Sequence, residues 1–95
     1  MQRWTVQDKN GLEIYLTEER WRHITIRHPT LTDHLKDVLN TIRFGRRKQD
    51  RLQTFKYFYH RRCDGLPGLY THITVVALYK PENNRYVVTA WPELE

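Results

Sequence analysis

The sequence has little cysteine and no long apolar run. Cys63 is the single cysteine among 95 residues, so no intramolecular disulfide can form. No histidine stands at zinc-finger spacing from it, and we expect no bound metal. No stretch of about eighteen apolar residues is present to span a bilayer. The opening "MQRWTVQDKN" lacks the apolar centre of a signal peptide. These absences predict a cytoplasmic protein without a membrane partner.

The chain also lacks internal repeats, low-complexity tracts and linker-like segments. Its 95 residues suffice for one modest core but not for a separate cofactor domain. The composition, 39% hydrophobic and 28% charged, lies in the globular range and away from that of disordered chains. We expect a single folded domain, residues 1–95, that uses no cofactor.

Basic residues outnumber acidic ones. Sixteen lysines and arginines against 11 aspartates and glutamates give a net charge of +5. On so small a body this excess favours a polyanionic partner, most often nucleic acid. The alternative is a soluble surface that is basic without such a partner.

The first part of the chain predicts a β-hairpin and then a helix. "RWTVQ" and "LEIYL" alternate as strands do, and Asn10-Gly11 between them is a turn signal. Thr17 is a candidate N-cap, and Pro29 disfavours a helix beyond about His28.

A second helix and three strands are predicted for the rest of the chain. Leu35, Val38, Leu39 and Ile42 form an apolar stripe at helical spacing, and Gly45 is a candidate helix end. "TFKYFYH", "LYTHITVVALYK" and "RYVVTAW" then alternate as strands, separated by the turn sequences "CDGLPG" and "PENN". The order predicts an α+β fold: an N-terminal β-hairpin and two helices packed on one face of an antiparallel β-sheet.

The segment "RRKQDR" after the second helix is predicted to be a polar, basic connection. Together with the arginines that end the next strand, it predicts a mobile basic rim that captures RNA phosphates. The candidate RNA-binding residues are Arg46, Arg47, Lys48, Arg51 and Arg62.

The two histidines of the first helix fall on different stripes. At roughly 100° per residue, His23 lies between Arg20 and Arg27 on a polar stripe, whereas His28 lies on the apolar stripe. An imidazole flanked by guanidinium groups suits phosphodiester cleavage, because imidazole moves a proton while arginine holds the phosphate. A solvated charged face explains His23 equally well. His28 is interpreted as a structural residue that caps carbonyls or packs beneath Pro29.

The strand "TFKYFYHRR" mixes aromatic and basic residues on both sides. Alternation places Tyr59 and Arg61 on one side and His60 and Arg62 on the other. Either mixture suits RNA, whose bases stack on rings while its phosphates meet cations. At least one of the two sides must also serve the core.

The last predicted strand contains a threonine, Thr89, within "VVTAW". Strict alternation places it on the same side as Val87 and Trp91. A threonine at this position by itself indicates only a strand, because threonine is a good strand former.

Four stretches together carry a resemblance: "YLTEERWRHITIRHP", "YFYHRR", "ITVVALYK" and "VVTAW". From about Tyr15 to Trp91 the chain resembles the small phage and bacterial ribonucleases of the barnase, EndoU, colicin and RelE-like superfamily. The resemblance implies a helical N-terminal part on a four-stranded antiparallel sheet and a metal-independent endoribonuclease, often a toxin neutralised by a partner protein. "FGRRKQDR" departs from the more acidic, proline-containing connection of that pattern, which predicts altered RNA contacts.

The resemblance also implies roles at the matching positions. His23 transfers a proton, Arg27 and Arg61 stabilise the phosphate, Tyr59 donates to the phosphate or acts as acid, and Thr89 orients a phosphate oxygen. The implied reaction is attack of the ribose 2′-hydroxyl on the adjacent phosphorus, with no metal or cofactor. The implied partners are RNA and an antitoxin or immunity protein. Further possible members of the site are Arg20, His28 and His60.

Two other functions fit the same residues. A non-catalytic RNA-binding module needs only basic charge, exposed aromatic rings and a small sheet. A protein-interaction domain would use the basic face to bind an acidic partner protein. Dependence on His23 separates these functions from catalysis, because binding spread over many cations tolerates the loss of one side chain.

Overall fold

The computed structural model describes residues 2–81 and 83–95, in which six strands and two α-helices follow one another. A short 3-10 helix, Pro29–Leu31, lies between the two α-helices. In chain order the elements are β1 (Arg3–Gln7), β2 (Glu13–Thr17), α1 (Glu18–Arg27), α2 (Leu35–Phe44), β3 (Arg46–Gln49), β4 (Lys56–Arg62), β5 (His72–Tyr79) and β6 (Arg85–Glu93). Glu82, in the predicted "PENN" turn, lies outside the described residues.

All six strands belong to one sheet, in the order β1-β2-β6-β5-β4-β3. Neighbouring strands are antiparallel except β2 and β6, which are parallel. Both helices pack on the sheet. The predicted α+β fold with an N-terminal hairpin is therefore confirmed, with a sheet that is mostly antiparallel.

The segment "RRKQDR" is not the connection that the sequence pattern predicts. Arg46–Gln49 pairs with β4, so that Arg46 lies opposite His60 and Gln49 opposite Tyr57. All four side chains of this edge strand are exposed. Charged residues suit an edge because they oppose pairing with a further strand. The four residues of β3 show no alternation of apolar and polar side chains, and for this reason the sequence pattern predicts a loop here. Arg46, Arg47 and Lys48 therefore belong to a paired strand, and Arg51 lies in the loop that follows it.

The N-terminal hairpin closes through a buried aspartate. Asp8 Oδ1 accepts hydrogen bonds from the backbone N–H groups of Asn10 (2.8 Å) and Leu12 (3.0 Å). Gly11 has a φ of +78°, a left-handed conformation that glycine adopts without steric cost. The turn predicted at Asn10-Gly11 is confirmed.

Both ends of α1 agree with the sequence prediction. The Thr17 side chain accepts a hydrogen bond from the Arg20 backbone N–H at 3.1 Å, as an N-cap does. At the other end the His28 backbone N–H donates to the Ile24 carbonyl at 2.8 Å, and Pro29 follows. The capping residue and the proline thus bound a helix of ten residues.

The end of α2 approaches the backbone of β4 closely. Gly45 follows the helix, and its N–H donates to the Thr41 carbonyl at 2.9 Å. A Cβ atom at Gly45 would collide with the carbonyl oxygens of Thr41 and His60. Glycine is therefore required where α2 ends against the middle of β4.

The core lies between the helices and one face of the sheet. The predicted stripe of α2 is confirmed, since Val38 and Ile42 are fully buried and Leu35 and Leu39 pack against the core. None of the described helices is long and apolar enough to cross a membrane. The core residues that the helices and the central strands contribute include Ile24, Leu31, Val38, Ile42, Tyr59, Ile73, Val75, Ala77, Val87 and Ala90.

Candidate functional site

The sheet has a second face, formed by the side chains that alternate with those in the core. Phe58, His60 and Arg62 of β4 belong to this face, because Tyr59 between them lies in the core. Residues opposite one another on paired strands share a face. The register therefore adds Arg46 and Lys48 of β3, His72, Thr74 and Val76 of β5, and Thr89, Trp91 and Glu93 of β6. We call this set of side chains the open face.

The open face forms a groove of about 860 Å³ with basic and aromatic walls. Cations of β3 and the loop after it line one side, and Phe58 and Trp91 supply aromatic surface. Rings surrounded by cations are the chemistry with which proteins hold single-stranded nucleic acid. The lining residues are Arg46, Arg47, Lys48, Gln49, Asp50, Arg51, Leu52, Phe58, His60, Thr74, Trp91 and Glu93.

Among the residues that line the groove, hydrogen bonds join His60, Thr74 and Glu93. Thr74 Oγ1 lies 2.6 Å from Glu93 Oε1 and 2.8 Å from His60 Nδ1. An ionised carboxylate only accepts, so the single hydroxyl proton of Thr74 goes to Glu93. Thr74 must therefore accept from His60, and Nδ1 of His60 carries a proton. The neutral form of this imidazole consequently has its lone pair on Nε2.

Glu93 is held in its ionised form by the same hydrogen bonds. The Thr74 hydroxyl is the main cause that keeps the pKa of Glu93 below its ordinary value, and the Trp91 indole N–H adds to the effect. Trp91 Nε1 lies 2.7 Å from Glu93 Oε1. One carboxylate oxygen thus fixes both the hydroxyl that orients His60 and the indole ring beside it.

A second histidine, His72, lies beside His60. Their rings are nearly parallel, 7° apart, with centroids separated by 4.9 Å. Thr71 Oγ1 is 2.8 Å from His72 Nδ1. Glu95 Oε2 lies 2.5 Å from His60 Nε2 and 3.8 Å from His72 Nδ1. Among the described residues, His60, His72 and Glu95 bring one potential metal-ligand atom each within 4.8 Å of the others.

The helical residues in the predicted site lie apart from the open face. Arg20, His23 and Arg27 are exposed on α1, which packs through Ile24 into the core on the opposite side of the sheet. The polar stripe predicted for this helix is therefore present, but the structure does not bring it to the groove. His28 is half-buried at the helix end, where its backbone N–H forms the cap.

Tyr59 does not reach the groove. It is fully buried, its hydroxyl donates to Asp8 Oδ2 at 2.8 Å, and it is also hydrogen-bonded to the Tyr79 hydroxyl. Burial is the main cause that raises its pKa, and the hydrogen bond with Tyr79 adds to the shift. The sequence-based role for Tyr59 as phosphate donor or acid is corrected accordingly: this hydroxyl ties β4 to the hairpin loop.

Arg61 and Thr89 emerge on opposite faces of the sheet. Arg61 alternates with His60 and lies over the ring of Phe44 at 5.8 Å, on the side where α2 packs. Thr89 lies opposite Val76 and belongs to the open face.

The predicted side for Thr89 needs one correction. A β-bulge between Val76 and Ala77 interrupts the alternation of β6, so that Val87 pairs with Ala77 on the core side. Thr89 therefore shares a face with Trp91 but not with Val87.

The five predicted RNA-binding cations divide between the two faces. Arg46, Lys48 and Arg62 belong to the open face, with the Arg62 guanidinium 3.4 Å from exposed Asp64. Arg51 follows β3 in the loop that lines the groove. Arg46, Lys48 and Arg51 line the groove, and Arg62 lies on the same face of the sheet without lining it.

Arg47 borders the groove, but its guanidinium points the other way. Its guanidinium lies 5.0 Å from the Tyr57 ring centroid and 3.9 Å from Asp8 Oδ2, and it donates to the Tyr79 hydroxyl at 3.4 Å. The positive charge of Arg47 thus lies beside the buried carboxylate of Asp8 and offsets its negative charge, so Arg47 has a structural role.

Cys63 is buried at the end of β4. Desolvation is the main cause that raises the pKa of its thiol, which disfavours the reactive thiolate.

Sequence reasoning missed His72, Thr74 and Glu93. Alternation within "HIT" signals that His72 and Thr74 share a side, but nothing local indicates that Glu93 lies opposite His72 on another strand. His60, a lesser member of the predicted site, lines the groove.

No protein-family model matches the chain, and neither a search of curated proteins nor one of solved structures finds a relative.

Proposed function

We propose that the chain is a metal-independent endoribonuclease whose site is the open face, centred on His60 and His72. The observation that carries the proposal is the hydrogen-bond chain from His60 through Thr74 to Glu93. An imidazole oriented in this way is suited to proton transfer once Glu95 leaves its Nε2. The resemblance to the barnase, EndoU, colicin and RelE-like ribonucleases implies the same reaction, although its matching residues His23, Arg27 and Tyr59 lie away from this site.

The reaction needs a base and an acid near one phosphodiester. Neutral His60 accepts the proton of the ribose 2′-hydroxyl at Nε2 while the 2′-oxygen bonds to phosphorus. Protonated His72 donates to the departing 5′-oxygen as its bond to phosphorus breaks. The products are a 2′,3′-cyclic phosphate and a free 5′-hydroxyl. Two imidazoles on adjacent strands, 4.9 Å apart, can serve one phosphate in these two roles.

Glu95 has to move aside before this reaction. Its carboxylate contacts His60 Nε2, and its side chain is about half exposed. A phosphate entering the groove repels the carboxylate and competes for the same imidazole, so substrate binding favours the rotated side chain.

The surroundings of the histidines suit RNA. Arg46, Lys48 and Arg62 share the open face with them, so cations can stabilise the charge that develops on the phosphorane oxygens. Phe58 and Trp91 offer rings on which bases can stack. Binding and proton transfer thus use one surface.

The test is cleavage of total RNA by the purified chain in EDTA, with mapping of the product ends. We expect 2′,3′-cyclic or 3′-phosphate ends, and His60→Ala and His72→Ala should each lower the rate by about a hundredfold or more. His23→Ala is the matched comparison, because this histidine is exposed on α1. Circular dichroism of each variant establishes that it is folded.

Each other outcome points to a different function. Full activity in His60→Ala would overturn the assignment, and a loss confined to His23→Ala would move the site to α1. RNA binding without cleavage by the folded chain would favour the non-catalytic RNA-binding module, for which Phe58, Trp91 and the surrounding cations suffice. Binding of an acidic protein but not of RNA would favour an interaction domain.

The proposal extends to a toxin with a neutralising antitoxin or immunity protein. A toxin of this kind would cleave cellular RNA in the cytoplasm and harm its host unless a partner covered the groove. An acidic partner complements the net charge of +5. Expression of the chain alone should arrest growth, and His60→Ala should relieve the arrest. Growth unaffected by an active, accumulated chain would overturn the toxin proposal.

A further inference from the structure

Two histidines and a carboxylate converge at one end of the open face. His60 lies opposite Thr74 and His72 lies two residues before Thr74, so the two rings meet diagonally across β4 and β5. Glu95 reaches both rings from just beyond β6. The potential ligand atoms of the three residues all lie within 4.8 Å of one another.

Two imidazole nitrogens and one carboxylate oxygen favour one class of metal ion. Imidazole nitrogen with carboxylate oxygen suits zinc and neighbouring transition metals, whereas magnesium and calcium prefer oxygen ligands alone. Ligand atoms around a tetrahedral zinc ion lie roughly 3.4 Å apart, from bond lengths near 2.1 Å. The two imidazole rings are nearly parallel, so they have to turn until both ring nitrogens point at one ion, and the half-exposed Glu95 side chain can follow them.

The hydrogen bond at the other ring nitrogen of His60 also suits a metal site. A histidine bound to zinc ordinarily donates its other ring N–H to an acceptor that leads to a carboxylate. His60 Nδ1 donates to Thr74, which donates to Glu93, so Nε2 is the nitrogen that could bind an ion. Nε2 lies 2.5 Å from Glu95 Oε2, and because a carboxylate only accepts, a metal has to replace the Nε2 proton of this contact. The hydrogen bond at Nδ1 is already in place.

We propose that His60, His72 and Glu95 form a binding site for a zinc ion or a similar divalent transition-metal ion. Three protein ligands leave a fourth position open to water. The consequence for catalysis rests on the proposed function: an ion bound to these nitrogens occupies the lone pair that must accept the 2′ proton. Zinc is then an inhibitor of RNA cleavage and not its cofactor.

The binding test uses the full chain freed of metal and contains no RNA. Calorimetric titration with zinc chloride should give one ion per chain, and cobalt(II) should give the visible absorption of a tetrahedral site. His60→Gln and His72→Gln should each weaken zinc binding by about tenfold or more, and Glu95→Gln should weaken it less. His72→Ala serves if a glutamine variant does not fold. His23→Ala should bind as the unmodified chain does.

Absence of saturable zinc binding to the folded chain would overturn the site, as would binding that survives both histidine substitutions. A separate arm adds zinc to the cleavage assay, where inhibition reversed by EDTA is expected. If the chain cleaves no RNA, the titration still decides whether the metal site exists. If zinc does not bind, cleavage dependent on His60 remains intact, so the two failures are distinguishable.

Discussion

The hydroxyl of Thr74 accepts a hydrogen bond from His60 Nδ1, at 2.8 Å, because its own proton is given to Glu93. This relationship decides which nitrogen of His60 faces the groove. It joins β4, β5 and β6 through three polar side chains, on the face of the sheet opposite the core.

Replacing Thr74 should change the tautomer of His60. In Thr74→Val the acceptor is lost, so neutral His60 should no longer be held with its proton on Nδ1. Long-range ¹H–¹⁵N spectra of the ring nitrogens at neutral pH report this change directly. The cleavage rate should fall by about tenfold to a hundredfold, since the imidazole then has to be oriented in each turnover. Thr74→Ser, which keeps the hydroxyl, should restore the tautomer, and an unchanged spectrum in Thr74→Val would contradict the hydrogen-bond direction.

Tyr59→Phe separates a structural tyrosine from a catalytic one. Removing the hydroxyl leaves the buried Asp8 carboxylate with one donor fewer, which should destabilise the fold by about 1 to 3 kcal/mol in urea unfolding. The rate per folded molecule should stay unchanged. Tyr57→Phe on the same strand is the matched control. A fall of about a hundredfold in the rate of folded Tyr59→Phe would restore its role as an acid.

The two neighbouring cations Arg47 and Lys48 should differ in RNA binding. Affinity for an oligonucleotide with 2′-O-methyl riboses, which cannot be cleaved by 2′-hydroxyl attack, should fall with rising salt by roughly 0.7 log units per log unit of salt for each phosphate contact. Lys48→Ala should lower this slope by about one contact, since Lys48 belongs to the open face. Arg47→Ala should keep the slope and lose stability instead, because Arg47 balances Asp8. Equal losses of slope would show that both side chains meet RNA.

Glu93 should make the free energy of unfolding depend on pH in the acid range. Its pKa in the fold is held below the ordinary value of 4.5, so the unfolded chain binds more protons as the solution is acidified. The stabilisation is present above pH 4.5 and is lost as the pH falls through the folded value. Glu93→Gln should lower the free energy of unfolding at neutral pH by about 1 kcal/mol, with a smaller difference in acid. Urea unfolding across this pH range measures it, and exposed Glu13→Gln is the control. A constant difference at every pH would refute the linkage.

Local patterns in the sequence determine most of the secondary structure. Thr17 and Pro29 bound α1, the apolar stripe through Val38 and Ile42 defines α2, and Asn10-Gly11 closes the hairpin. These signals act over a few residues, through capping, backbone conformation and helical spacing, so they are readable without tertiary contacts. These local signals do not predict the charged edge strand β3, because hydrogen bonds to β4 hold this strand and its side chains are not buried.

Only the tertiary structure decides which polar residues meet. Alternation divides β4 into two sides, but packing alone determines that Tyr59 enters the core and His60 the groove. The bulge at Val76 then sets Thr89 apart from Val87, and the pairing of β5 with β6 brings Glu93, nineteen residues away, to Thr74. The sequence determines that basic, aromatic and histidine side chains are present together. The register of strands distant in the chain decides that His60 and His72, and not His23, share the open face with those cations and rings, because register depends on which faces are buried.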